Sequence, residues 1–379
     1  MMMHRGRDWH LKLNSLFFSL VTLTVFTSLA WGQEDKPRSD EEILEMERLV
    51  VTATRTAEEL LDVPGHVTVI TEEEIRASGA SNLAKVLDNK AGVSVSDFGP
   101  EGSEKSISLR GSTTSQVLVL IDGVRANNAQ NGVVDLSLIP LDNIERIEIV
   151  RGGMSALYGA DAVGGVINVI TKRQTRKEYT LRIAVENGSY LPQKHVKGFG
   201  LATSSNDPDF LDLVDTQRAT AQLSHDFGPM SLNAAGSFIH AQNAYIFKDG
   251  HNENRKRENA ELLGGDLWLA ARFPMEQGFF DLSGFYLRHR KGIPGTDTLP
   301  TPEAEQEDQR IRTTLHFKTE RLFTDLLTLD LTTHFTASEL SYSDPTYATD
   351  SLHRLYSAGA EIVQEALFLE MVSFVYGGS

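Results

Sequence analysis

Beyond residue 173 apolar and polar positions alternate in stretches roughly ten residues long, the length that crosses a bilayer as a tilted strand. They run over Thr180 to Glu186, Thr216 to Phe227, Ser231 to Gln242, Leu262 to Phe273, Phe279 to Arg290, Arg310 to Glu320, Leu327 to Leu340 and Ser357 to Leu369. A period of two sends successive side chains to opposite faces of a strand. Ala219, Ala221 and Leu223 therefore share one face, as do Leu267, Leu269, Ala271 and Phe273, while Gln222, Ser224, Trp268, Ala270 and Arg272 take the other. A lipid-facing strand must satisfy every backbone group through neighbours, so the pattern predicts an antiparallel barrel; a soluble β-sandwich is the alternative. Phe227 to Met230 and Phe273 to Gly278 are short turns, whereas Ala244 to Asn259 and Lys291 to Asp308 are long polar connections suited to the outer face, whether they contact a solute or stand idle.

Upstream the texture differs. After Pro64 and Gly65 a short strand precedes Thr71 and Glu74, whose spacing is a capping box opening a helix to Ala77 or Ser78, stopped by Gly79. Ser81 is expected to cap a second helix that buries Leu83, Ala84, Val86 and Leu87 and ends near Gly92. Strands follow at Val93 to Ser96, Ser106 to Leu109 and Val117 to Ile121; Asp122 and Gly123 mark a tight turn. A further strand carries Ile144, Ile147, Ile149 and Val150 and stops at Arg151, Gly152 and Gly153. The sum is a small α+β globule ahead of the alternating region.

The 379 residues exceed one ordinary domain, which agrees with two structured parts. With 52 acidic against 36 basic residues the chain has no basic excess for phosphate backbones, so no nucleic-acid partner is expected. It contains no cysteine, which removes disulfides and thiolate metal sites. His4, Arg5, Arg7 and Lys12 precede an apolar run from Leu13 to Ala30, the pattern of a secretory leader cut after Gly32; a single membrane anchor is the alternative. Residues 33–47 are polar and charged, a flexible tether. Leu49, Val50, Val51 and Thr52 then form an isolated β-favouring run, able to add to another protein's sheet or to serve as an edge strand of the globule.

Candidate chemistry is sparse. Gly159, Gly164 and Gly165 precede a strand rather than a helix and match no nucleotide loop. His251, His289 and His316 lack zinc spacing, and no nucleophile, base and oxyanion arrangement stands out, so neither an enzyme nor a resident cofactor is expected. Asp207, Asp209, Asp212 and Asp215 crowd one connection and are weak calcium candidates, a solvated acidic loop being the plainer reading.

Several spaced motifs of the globule carry a resemblance: LVVTATR at Leu49 to Arg55, LRGS at Leu109 to Ser112, LIDGVR at Leu120 to Arg125, ERIEIVRG at Glu145 to Gly152, and SALYGADAVGGVINVITK at Ser155 to Lys172. Together they resemble the plug domain of TonB-dependent outer-membrane receptors, nearest to the cobalamin branch. The resemblance implies a leader at 1–32, a tether at 33–47, a TonB box at 48–54, a plug at 55–173 and the N-terminal part of a transmembrane β-barrel at 178–379. It implies the outer membrane as location, outer-membrane lipid around the barrel, the TonB energy-coupling protein as partner, and a corrinoid or small-molecule metal chelate as solute. Leu49, Val50, Val51, Thr52 and Ala53 are the implied TonB-binding segment. Among the plug arginines Arg110, Arg125, Arg146 and Arg151, the resemblance places Arg110 and Arg151 foremost in contact with the barrel wall. The apical loops place Asp97, Phe98, Gly99 and Ser103, with Asn127, Asn128 and Asn131, against the solute. An iron-siderophore receptor, a passive porin-like surface protein and a soluble periplasmic module are the alternatives. Residues 179–379 have room for roughly ten membrane strands, against about 22 in transporters of this class, so a barrel truncated at the C-terminus is expected, and the ending FVYGGS lacks a terminal membrane strand of the family type.

Overall fold

The computed structural model describes residues 50–51, 58–59, 66–88, 90–128, 130–158, 160–172, 178–188, 215–296, 298–320, 327–368 and 372–378. The expected leader and tether lie outside the described residues. β1 (Val50–Val51) pairs antiparallel with β2 (Glu58–Glu59). Then follow β3 (His66–Thr71), α1 (Glu72–Ala77), α2 (Leu83–Asp88), β4 (Val93–Asp97), β5 (Lys105–Leu109), β6 (Val117–Ile121), β7 (Val124–Arg125), β8 (Ile144–Arg151), α3 (Ser155–Tyr158) and β9 (Gly165–Thr171).

Five of these strands form one sheet in the order β3-β8-β9-β6-β7, with β6 and β9 parallel and the other neighbours antiparallel. Both faces are covered. Ile147, Ile149, Ile167 and Val119 pack toward Ile75 of α1 and Leu83 and Leu87 of α2. Leu118, Leu120, Val150 and Val166 pack against Met154, Tyr158 and Ala162. Burial on both sides is why β6 reads as an unbroken apolar run, and β9 as one broken only by Asn168 before its final Thr171, instead of alternating. The α1 capping box forms: Glu74 N–H donates to Thr71 Oγ1 at 3.3 Å, and Thr71 N–H donates to Glu74 Oε2 at 3.1 Å. The second cap differs from expectation. Asn82 Oδ1, not Ser81, accepts the Lys85 N–H at 3.1 Å, because Ser81 Oγ donates instead to Glu101 Oε1 at 2.7 Å, a partner distant in sequence. Asp122 (φ 51°) and Gly123 (φ 82°) make the tight turn between β6 and β7. The Asp122 carboxylate accepts Thr171 N–H at 2.9 Å and Thr171 Oγ1–H at 2.6 Å, tying that turn to the end of β9.

The rest of the chain is an antiparallel nine-stranded sheet of β10 (Thr180–Gly188), β11 (Thr216–Asp226), β12 (Ser231–Ala241), β15 (Leu262–Met275), β16 (Gly278–Gly292), β17 (Glu305–Thr319), β18 (Leu327–Asp344), β19 (Thr349–Phe368) and β20 (Val372–Gly378). Each pairs with its neighbour in that series, and a two-stranded hairpin of β13 (Ile246–Lys248) and β14 (Asn254–Lys256) fills the connection before β15. Among the described residues the sheet is open, with β10 and β20 as its edges. Leu181, Ile183, Val185, Leu267, Leu269, Ile311 and Phe335 lie exposed on its outer face, while Ala235, Trp268, Phe285 and Leu287 turn inward and pack against Leu138 of the plug.

The C-terminal end holds a short strand: β20 pairs with residues 362–368 of β19. β17 and β19 begin earlier than their alternation suggests, at Glu305 and Thr349, because their first residues are polar and stand beyond the apolar band. At 20 residues β19 is about twice the length needed to cross the hydrocarbon layer, so its outer half rises clear of lipid.

Candidate functional site

The protruding strand ends and the apex of the plug enclose a cavity of about 1040 Å³, at the upper end of small-molecule sites. Its floor carries Phe98, Ser103, Asn128 and Asn131 from the plug, and its wall carries Tyr245, Arg257, Lys291, Arg310, His353 and Arg354. An aromatic ring, amides, a hydroxyl and charges of both signs, with Glu101, Asp308 and Glu339 among the acids, converge there, a set suited to holding a large polar solute.

The remaining expected ligand contacts sit elsewhere. Asn127 does not line the cavity: its Oδ1 accepts Val119 N–H at 2.8 Å, and its Nδ2 donates to Val117 O at 2.9 Å and Gly132 O at 2.8 Å. An amide spent on three backbone partners is a loop staple. Asp97 and Gly99 turn toward Lys105, whose Nζ pairs with Asp97 Oδ1 and donates to Gly99 O at 3.0 Å. The two long connections are joined to each other: Arg257 Nη2 donates to Gly295 O at 2.8 Å, and Asn259 Nδ2 donates to Thr301 O at 2.7 Å and Ala304 O at 2.9 Å. Tyr245, Arg257 and Lys291 belong to those connections, so polarity and length pointed toward them. His353 and Arg354 carried no signal, because the early start of β19 is set by pairing with β18.

A second cluster lies where plug meets wall. Glu72 Oε1 accepts Arg182 Nη1 of β10 at 2.9 Å, is 3.1 Å from Lys172 Nζ and 2.7 Å from Arg76 Nη2. Lys172 Nζ also donates to Asp142 O at 2.8 Å and Gln222 Oε1 at 3.2 Å, while Asn233 Nδ2 donates to Lys172 O at 2.8 Å. Burial works against the Glu72 carboxylate, yet the hydrogen bond from Arg182 and the charges of Lys172 and Arg76 hold it below the usual carboxylate range. Burial pulls the Lys172 ammonium below the ordinary lysine value in spite of Glu72. Burial raises Asp142, with Arg218 and Lys172 opposing.

Arg110 and Arg151, expected at this seam, are placed within the plug. Arg151 is buried and its Nη1 donates to Thr68 Oγ1 at 2.7 Å, a neighbour across the β3–β8 pair. Arg110 is exposed at φ 50°. The wall's polar contacts with the plug instead include Arg312 Nη2 to Arg125 O at 3.1 Å, Lys291 Nζ to Gly102 O at 2.8 Å and Asn243 Nδ2 to Glu101 O at 2.9 Å.

Asp207, Asp209 and Asp212 lie outside the described residues. Asp215 is buried, with Oδ1 accepting Ala244 N–H and Oδ2 accepting Thr216 Oγ1–H, each at 3.0 Å, so its carboxylate closes a strand end. Among the described residues no group of three or more His, Asp or Glu side chains is gathered to hold a metal ion. Leu49, Thr52 and Ala53 also fall outside them; Val50 and Val51 pair only with Glu58 and Glu59, apart from the five-stranded plug sheet.

Residues 59–166 match the family model of the TonB-dependent receptor plug domain. The vitamin B12 transporter BtuB of Vibrio cholerae serotype O1 is 35% identical over 170 residues, 45% of this chain and 26% of the relative. The vitamin B12 transporter BtuB of Photobacterium profundum is 45% identical over 126 residues, 33% of this chain and 21% of the relative. The chain thus matches about a quarter of the length of these curated relatives. In fold it is similar to the unliganded ferric citrate transporter FecA, with a TM-score of 0.62 at 20% identity over 83% of this chain and 46% of that one. The copper transporter OprC gives a TM-score of 0.59 at 14% identity over 82% of this chain and 45% of that one. Residues 59–166 are thus a plug domain of the TonB-dependent receptor family, set against the inner face of an antiparallel wall with an apolar outer band.

Proposed function

We propose that the protein imports a scarce, bulky solute across the outer membrane at the expense of work done by TonB, and that the solute is a corrinoid. The observation that supports import is the cavity of about 1040 Å³ with the plug apex as its floor: a solute held there can leave inward only if the plug moves. Corrinoid is preferred because the relatives at 35% and 45% identity are vitamin B12 transporters, whereas the ferric and copper transporters share the fold at 20% identity or less.

Binding chemistry explains the need for outside work. A nanomolar site holds its ligand by about 12 kcal/mol, and an association rate near 10^6 per molar per second leaves release near 10^-3 per second. Tight capture and fast delivery conflict unless the site is deformed after capture. In this reading residues 48–54 are the TonB box, and Leu49, Val50, Val51, Thr52 and Ala53 add as a strand to the partner's sheet, which draws on backbone donors more than on side chains.

Proline at position 51 removes one such donor. In cells carrying the complete gene, Val51→Pro is expected to abolish uptake of radiolabelled cyanocobalamin while cell-surface binding persists. Uptake that continues unchanged sinks energy coupling and favours a passive pore. Binding of a ferric siderophore in place of cyanocobalamin sinks the corrinoid assignment and leaves energy coupling standing.

A further inference from the structure

Among the described residues Lys105 is the largest fully buried side chain, 2% exposed, on the plug strand that leads away from the apical loop. A buried ammonium without partners is costly, so the surrounding chain must supply acceptors. Both acceptors come from one short turn. Asp97 Oδ1 takes the Lys105 Nζ and also the Gly99 N–H at 3.1 Å, and Gly99 O takes Nζ at 3.0 Å. Gly99 sits at φ +153°, a backbone conformation that side-chain-bearing residues rarely adopt. Between Asp97 and Gly99 stands Phe98, 68% exposed, on the floor of the large cavity.

The second half of the same loop is held from other directions. Lys291 Nζ donates to Gly102 O at 2.8 Å, Asn243 Nδ2 donates to Glu101 O at 2.9 Å, and Ser81 Oγ donates to Glu101 Oε1 at 2.7 Å. The wall and Ser81, just ahead of α2, thus fix Glu101 and Gly102, while the buried lysine fixes Asp97 to Gly99. We infer that Lys105 is a positioning residue for solute capture: its buried ammonium sets the turn Asp97–Gly99 and so holds the Phe98 ring in the cavity, ready for an apolar or flat face of the solute. The inference rests on the reading of that cavity as the solute site. An aromatic ring kept in solvent is costly alone and gains when a ligand covers it. Holding the ring in place beforehand removes the ordering cost from the binding step.

Because the 379 residues contain no cysteine, Phe98→Cys gives them a unique attachment point for a nitroxide, read with the protein in detergent. The spectrum of that label is expected to show an ordered side chain with Lys105 present and a mobile one with Lys105→Met, which keeps the buried stem and removes the charge. Asp97→Asn, at a carboxylate 44% exposed, perturbs the same contact without touching the core and is expected to shift the spectrum in the same direction. With Phe98 intact, Lys105→Met is expected to weaken cyanocobalamin binding about tenfold, as when the ligand-ready fraction falls to roughly a tenth. In a double-mutant cycle Lys105→Met is expected to add little to the loss caused by Phe98→Ala, since it acts through that ring. A label equally ordered in all variants overturns the inference, and so does full additivity in the cycle. Failure of the unaltered protein to bind cyanocobalamin overturns the corrinoid reading alone, because the label spectra test the turn without any ligand.

Discussion

Glu72, the first residue of α1, accepts Arg182 Nη1 of β10 at 2.9 Å and lies 3.1 Å from Lys172 Nζ at the end of β9. One plug carboxylate therefore joins the plug's first helix, its closing strand and the first strand of the wall. Arg182 is 44% exposed and its share is screened by water, while Lys172 at 18% is not.

Glu72→Gln is expected to weaken the seating of the plug by about 1.5–3 kcal/mol, the range for a hydrogen bond to a charged group. Faster amide exchange in α1 and β10, with exchange in β6 and β9 unchanged, is the measurement; uniform exchange across all four elements contradicts the assignment.

The same carboxylate gives the seam a pH dependence. Its folded value lies below the ordinary 4.5, so its contribution is complete above about 4.5 and is lost as pH falls through the lower folded value. Amide exchange of α1 followed from neutral pH to about pH 3 should accelerate in that acidic window, and Glu72→Gln should flatten the profile. Asp142, raised by burial, contributes with opposite sign, its share fading as pH rises through the carboxylate range, so Asp142→Asn should steepen the acid loss.

Leu138 of the plug, 9% exposed, packs with Trp268, Phe285 and Leu287 of the wall. Leu138→Ala is expected to cost about 2–5 kcal/mol through lost burial and the space left behind. With Trp9 and Trp31 replaced by Phe, Trp268 is the one tryptophan left in the 379 residues, so their emission should shift to the red; an unshifted spectrum with unchanged stability argues against this anchor.

Asn127→Ala removes three backbone contacts at once. The expectation is a loss of about 2–3 kcal/mol of plug stability in chemical denaturation, with solute affinity reduced only where the loop has melted. A variant of unaltered stability that fails to bind would return Asn127 to the list of direct contacts.

Gly165 begins β9 at φ +144°, with the Leu109 side chain 2.8 Å from where a Cβ would sit. Gly165→Ala should cost more than about 2 kcal/mol, combining backbone strain with a clash in the core. Protease resistance of the plug after surface expression is the readout, and a fully resistant variant would refute the steric argument.

What sequence alone determined is local. Thr71 and Glu74 specified a helix start because both partners of a capping box lie within one turn, and Asp122 with Gly123 specified the β6–β7 turn because its positive φ angles suit few other residues. The wall strands were legible from alternation because lipid on one side and plug on the other impose a period of two. The family was legible because its motifs mark such turns and strands. Tertiary structure decided whatever depends on residues far apart in the chain. Ser81 lost its capping role to Asn82 because Glu101 arrives beside it, and Lys105 is buried because Asp97 and Gly99 fold back to receive it. Arg151 faces Thr68 rather than the wall, and Glu72 meets Arg182 across 110 positions, because sheet pairing and the docking of plug on wall, not composition, bring those charges together.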